Sequence, residues 1–395
     1  MSATLPSSVD YAINPNGWYA LTGSELDWQL ETLPQPGLNN RSQDHSAGKV
    51  LGGCSAINGL IFVPPSPAGI DARAKLGNPE WNWASLRPYL QKSYTLSPSG
   101  QPGSGSGGGG GQEADRRNST INGPIQLTTR PYAATVDPIS GLPSSAEGEY
   151  GTVASSRPNV TIVTDVTVHR ILFDSGSGNI SATGVEVEWN GSTATLKAAK
   201  EVILAAGAFH TPKLLEISGV GAKDRLSALG IPVVLDHTGV GENLQNHVMG
   251  ILPVPLASFE KVIQSINQSS DEASAFLLLS TAPGNNAVLA IIPSYPFSRG
   301  STHISSADAD VKPTIDPRFF AHDLDLEILA RHTQNLYRLI SAPARQDFLH
   351  SESAPPDLDT IRMRLCESMA FTTHHSCGTT SMLPREAGGV VDQEL

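Results

Sequence analysis

The stretch Gly48-Lys-Val-Leu-Gly-Gly-Cys-Ser-Ala-Ile-Asn58-Gly59-Leu60 sets the terms on which the rest of the chain is read. Its adjacent glycines, Gly52 and Gly53, open a turn that runs into helical character. A second stretch of the same kind lies far downstream, Gly207-Ala-Phe-His-Thr-Pro-Lys-Leu-Leu-Glu-Ile-Ser-Gly-Val-Gly221. Glycine lets backbone N–H groups come close to an anion, and a helix N-terminus adds its partial positive charge. The two stretches together suit a phosphate-bearing cofactor. Before the second, Val202-Ile-Leu-Ala-Ala206 is a continuous apolar run, which predicts a fully buried parallel strand. After it, Thr211 as N-cap and Pro212 at the first helical position predict a helix to Ser218.

Outward from these stretches, residues 1–47 are polar and turn-rich, with Asp27 to Gln35 the one strand-like piece. Ser85 to Ser93 predicts a short amphipathic helix capped by Ser85. Residues 97–112 are almost entirely Ser, Gly and Pro, the composition of a flexible surface loop. Within it, Gly103-Ser-Gly105-Ser-Gly-Gly108 satisfies Gly-x-Gly-x-x-Gly literally, but neither a buried strand before it nor a helix after it supports a nucleotide site.

From Asn159 the chain turns to short β-branched runs. Val160–Thr164, Val166–Phe173, Gly184–Trp189, Ala194–Ala198 and Ile231–Leu235 predict strands, as do Val288–Ile292, His303–Ile304 and Thr314–Ile315. Gly239 to His247 reads as a loop and Asp323 to Ser341 as an amphipathic helix. The 395 residues carry a formal net charge of -12, which argues against nucleic acid or an anionic membrane as partner. Three cysteines, Cys54, Cys366 and Cys377, make neither a disulfide framework nor a metal-type pair. No apolar run is long enough to span a bilayer.

These elements, with Ser298-Arg-Gly-Ser-Thr-His-Ile304, Pro313-Thr-Ile-Asp-Pro317 and His375 to Asp392, follow one another in a fixed order. From about Trp28 to Leu395 that order resembles the glucose-methanol-choline (GMC) family of FAD-dependent oxidoreductases. The resemblance implies an α/β (α+β) protein, with a Rossmann-like FAD-binding domain and an antiparallel-sheet substrate domain. The expected boundaries are 1–250 for the FAD domain, 251–370 for the substrate domain and 371–395 for a return to the first. The family's opening strand, Gly-x-Gly-x-x-Gly turn and helix, and its closing segment, are expected to lie outside this chain. The FAD-binding domain is therefore expected to be incomplete, lacking its first βαβ unit, and FAD to bind this chain weakly.

Carried over by position, Gly52, Gly53, Asn58, Gly59 and Leu60 match the family loop that passes the flavin and pyrophosphate. Val168 matches a strand residue beside the adenine, and Ala206 with Gly207 the strand end at the cofactor. His375, in a His-x-x-Gly-Thr context, matches the catalytic histidine. Removing hydride from an alcohol needs a base for the hydroxyl proton, and imidazole titrates near working pH. His374 reads as a bystander, since neighbours on an extended segment point opposite ways. The resemblance thus implies FAD as cofactor and a small-molecule alcohol as substrate, in the manner of fungal members serving secondary metabolism. Two other readings stay open: a remnant that neither binds FAD nor catalyses, and a cyclase-like member that keeps the fold without redox chemistry.

Overall fold

The computed structural model describes residues 18–97, 125–129, 133–137, 143–174, 176, 179–255, 275–282, 286–341 and 355–395. Nearly all of the 97–112 stretch, the Gly103–Gly108 decoy included, lies outside them.

The N-terminal part is built from short pieces: β1 (Leu30–Glu31) pairs antiparallel with β2 (Asp44–His45). Helix α1 (Pro67–Lys75) is capped by Ser66, and α2 (Trp83–Ser93) by Asn82, whose Oδ1 accepts from Ser85 N–H at 3.0 Å. Ser85 is therefore inside α2 rather than its cap, because the Asp71 carboxylate receives the Trp83 N–H at 2.7 Å and starts the helix earlier. Strands β3 (Tyr94–Ser97), β4 (Ile125–Thr129) and β5 (Ala133–Ala134) follow, β3 parallel to β4.

Next comes an antiparallel meander of β6 (Val166–Asp174), β7 (Ser181–Trp189) and β8 (Ser192–Lys197), as the alternation in sequence predicts. Val160–Thr164 does not join it. That run is unpaired, and Asp165 at φ +56° turns the chain before β6 begins.

Val202–Ala206 also departs from expectation. It is neither helix nor strand and pairs with no strand, and Ile203 is 78% exposed. An apolar run is buried only if neighbouring strands cover it, and among the described residues none lies alongside. Helix α3 (Gly207–Ile217) starts at once, four residues before the expected cap, so Pro212 sits in its interior. A proline there leaves the carbonyl four residues back without its helical donor. That carbonyl, of Ala208, instead accepts from the Thr379 hydroxyl at 2.6 Å.

Beyond α3, β9 (Val220–Gly221) pairs in parallel with β10 (Leu235–Asp236) around α4 (Lys223–Ala228), so only the end of the expected Ile231–Leu235 strand forms.

The largest sheet among the described residues is antiparallel. It contains β11 (Val248–Pro255), β12 (Ala275–Ala282) and β13 (Asn286–Pro293), while β14 (Ser301–His303) and β15 (Thr314–Asp316) form a separate antiparallel pair that packs on α3. Helices α5 (Asp323–Ile340) and α6 (Leu358–Arg364) precede β16 (Ala370–Thr372), and the sheet order is β12-β13-β11-β16. Its apolar face meets α5 and α6 in the largest core cluster, which includes Leu252, Leu289, Leu329, Leu336, Ile361 and Leu365. Each such side chain contributes roughly 1.5–3 kcal/mol by leaving water. Among the described residues no helix is long and apolar enough to cross a membrane.

Candidate active site

Three segments far apart in sequence meet around His45. The start of α3 brings Phe209 edge-on to the His45 ring at 4.8 Å between centroids, and the C-terminal segment brings His374 at 5.4 Å. The approach to the first glycine stretch is fixed beside them: Trp28 packs on His210 at 4.5 Å, and the Lys49 ammonium lies 5.0 Å over the Trp28 ring.

Asn246 is the hub. Its amide donates to Thr372 Oγ1 at 2.7 Å and faces His45 Nε2 at 3.2 Å. Its carbonyl accepts from Thr373 Oγ1 at 3.0 Å and from the His375 N–H at 3.2 Å. Two donors and two acceptor positions are thus all used, which ties the end of β16 to the loop before β11.

The two adjacent histidines separate at this hub. His374 holds φ +61°, the left-handed region, so the segment turns there instead of running extended. Such a backbone costs a bulky residue of order 1–2 kcal/mol and recurs at functional sites. His374 Nδ1 accepts from Ser46 N–H at 3.1 Å, a structural tie. His375 turns the other way and meets His247, with His375 Nδ1 2.7 Å from His247 Nε2; the residue as a whole stays exposed.

Burial sets the charge state of the group. It lowers His45 to about 3, with His374 adding to the effect. Burial, then the nearby His375, lowers His247 to about 4. His374 and His375 are lowered as well, both chiefly by burial. At neutral pH these rings are uncharged bases and acceptors.

The glycine-stretch residues are placed as follows. Gly52 and Gly53 form a tight turn with φ of +88° and +53°, steadied by Ser55 Oγ donating to Gly52 O at 2.6 Å. Asn58 spends its side chain locally: Oδ1 accepts from Leu60 N–H at 2.8 Å and Nδ2 donates to Ser55 O at 3.2 Å. Gly59 is half-buried, and Leu60 is buried against Val136. Val168 pairs with Val187 in the meander, which joins the C-terminal end of α3 through Ile171 N–H donating to Ser218 Oγ at 2.8 Å. Ala206 and Gly207 are exposed at the head of α3. A surface cavity of about 380 Å³ beside α2, lined by Phe62, Trp83, Arg87 and Tyr94 among others, includes none of the histidines.

Residues 141–249 and 296–395 match the two family profiles described as GMC oxidoreductase, together just over half of the chain. The chain belongs to the GMC oxidoreductase family. GMC oxidoreductases are FAD-dependent. Over an alignment of 487 positions, gaps included, this member is 28% identical to the GMC oxidoreductase family protein Mala s 12 of Malassezia sympodialis, covering 96% of this chain and 78% of that one. Among solved structures it is similar to pyridoxine 4-oxidase from Mesorbium loti, with TM-score 0.80, 21% identity, and 98% and 84% of the two chains covered. A fungal aryl-alcohol oxidase gives TM-score 0.77 at 21% identity, covering 93% and 82%. These likenesses carry the fold: a Rossmann-like FAD-binding domain with a substrate domain.

In this GMC oxidoreductase two glycines of the two stretches leave their backbone open to the approach of a phosphate-bearing group. Gly53 and Gly207 both have positive φ, and a Cβ at either would meet no atom within 4 Å. Their main chain is bare and open, as close approach by a ligand requires. Asn58 fits less directly, because its carbonyl and one amide hydrogen already serve its own turn. Sequence reasoning missed His45, Asn246 and His247. The available signal was a polar Asn-His pair directly before an apolar strand.

Proposed function

We propose that this GMC oxidoreductase oxidises an alcohol, with His375 Nε2 taking the hydroxyl proton. The observation carrying this reading is His375 itself: exposed, bonded only through Nδ1 and backbone among the described residues, and mounted on a strained turn cross-tied by Asn246. Residues Gly52, Gly53, Asn58, Gly59, Leu60, Val168, Ala206 and Gly207 would hold FAD. Bound FAD supplies the two-electron acceptor for the hydride leaving the carbinol carbon. His375 accepts the proton that leaves oxygen, so alcohol becomes carbonyl and one proton rests on the imidazole. A neutral ring is the form able to do this: partly dehydrated surroundings lower the His375 imidazole from the ordinary histidine value, while the residue keeps its access to solvent. The structural neighbour named as a fungal aryl-alcohol oxidase supports an alcohol as donor.

The test is stopped-flow reduction of the flavin in the yellow, FAD-loaded protein. His375→Ala is expected to slow reduction ~10²–10⁴-fold. His374→Gln, which keeps an acceptor for the Ser46 amide, is expected to stay near the parent rate. An unchanged rate in His375→Ala sinks the assignment, and a colourless protein that takes up no FAD sinks the redox reading altogether.

A further inference from the structure

The ring opposite His375 decides which of its nitrogens is basic. The Pro293 carbonyl, at the end of β13, can only accept a hydrogen bond, and it lies 2.9 Å from His247 Nδ1. His247 Nδ1 therefore carries hydrogen. In a neutral ring that leaves His247 Nε2 as a lone pair, and this lone pair faces His375 Nδ1 at 2.7 Å. Two lone pairs at that distance would repel, so His375 Nδ1 carries the hydrogen between them. The lone pair of His375 is then on Nε2.

We propose that His247 is a positioning residue that fixes His375 as the Nδ1–H tautomer, leaving Nε2 as the proton-accepting atom. The inference rests on the reading of His375 as base, and it adds how that base is set.

The surrounding structure holds the relay in place. The rings pack edge to face, 5.0 Å between centroids and 68° between planes. Thr373 Oγ1 donates to the His247 carbonyl at 3.0 Å while also bonding Asn246, so both histidines hang from one cross-tied pair of segments. The Pro293 carbonyl is fixed by strand pairing, because Pro293 stands opposite Ala275 in the sheet. A doubly protonated His247 would present N–H toward His375 and reverse the relay, and burial opposes that form. Histidine side chains free in water favour the Nε2–H tautomer, so the protein must actively impose the other one.

The experiment reads the tautomer directly and needs neither flavin nor turnover. Long-range ¹⁵N–¹H correlation spectra of the full chain, with histidine selectively labelled, distinguish a protonated ring nitrogen from a bare one. His375 is expected to show protonated Nδ1 and bare Nε2 at neutral pH. In His247→Leu, which keeps bulk and removes the acceptor, His375 is expected to revert toward Nε2–H. In His247→Gln, whose amide oxygen can accept from His375 Nδ1, the Nδ1–H form is expected to persist.

In the FAD-loaded protein the Leu variant is expected to lose ~10–100-fold in kcat with little change in KM, and the Gln variant to recover most of it. A parent spectrum with His375 in the Nε2–H form overturns the proposal. So does a Leu variant whose His375 tautomer is unchanged. If Leu misfolds, the parent and Gln spectra still decide. Tautomers as stated, with His375→Ala fully active, would leave the relay standing and remove the base assignment instead.

Discussion

At the scale of the residue, the site depends on uncharged histidines held by fully used polar partners. His45, His247 and His210 are pushed down to about 3, 4 and 4. Burial is the first cause in each. Below the ordinary histidine value of ~6.5 the unfolded chain binds protons that the folded chain refuses. Stability is therefore fully present above about pH 6.5 and falls as pH drops through the window toward 4. Each such histidine contributes up to ~1.4 kcal/mol per pH unit to that fall. Urea midpoints between pH 8 and 4.5 measure it, and a flat profile across pH 6.5–4.5 contradicts the burial. Asn246→Ala removes one partner each from Thr372, Thr373 and His45 and the acceptor of the His375 amide at once, an expected loss of ~2–4 kcal/mol in urea unfolding. Gly378→Ala should be as costly. Its φ is +90°, and a Cβ would stand 2.5 Å from the Asn243 carbonyl oxygen.

At the scale of the element, local pattern and distant partner divide what could be read beforehand. Strands β6 and β7 and helix α5 were legible because their periodicity expresses partial burial, and β13 because it is a continuous buried apolar run; β8, exposed throughout, was legible from its β-branched alternation alone. His375 was legible because a short motif surrounds it. His247 was not, since the residue giving it meaning is 128 positions away. Helix α3 was placed too late because Pro212 reads locally as a first-turn residue, and only the Thr379 hydroxyl on the Ala208 carbonyl makes an interior proline tolerable. Thr379→Val is accordingly expected to destabilise by ~1–3 kcal/mol, since the Ala208 carbonyl loses the hydroxyl donor that replaces the missing Pro212 N–H. Thr379→Ser should keep most of that stability, and equal losses in both variants would refute the account. The unpaired Val202–Ala206 run marks the limit of periodicity: hydrophobicity requests a cover, and it cannot say what provides one.

At the scale of the whole molecule, apolar packing is unevenly distributed. The cluster on the sheet of β11, β13 and β16 with α5 and α6 holds thirteen buried residues, ten from those elements plus Leu38, Phe319 and Leu365, whereas Leu60 of the first glycine stretch is clustered with Val136 alone. Opening free energy follows buried contacts. Amide hydrogens of β13 and α5 are therefore expected to exchange last with deuterated water, and those of residues 50–60 well before them. Equal protection in both regions would mean that the glycine turns are braced by something other than this core.

The bare edge at Val202–Ala206 has a consequence for how the protein behaves in a tube. Among the described residues no strand pairs with residues 202–205, and with Ile203 turned outward this edge can serve as a template for a second copy. Light scattering should rise steeply with protein concentration and with added sulfate, which strengthens apolar association. A single lysine at the centre of the run, Ile203→Lys, is expected to clarify such solutions while leaving the unfolding midpoint nearly where it was.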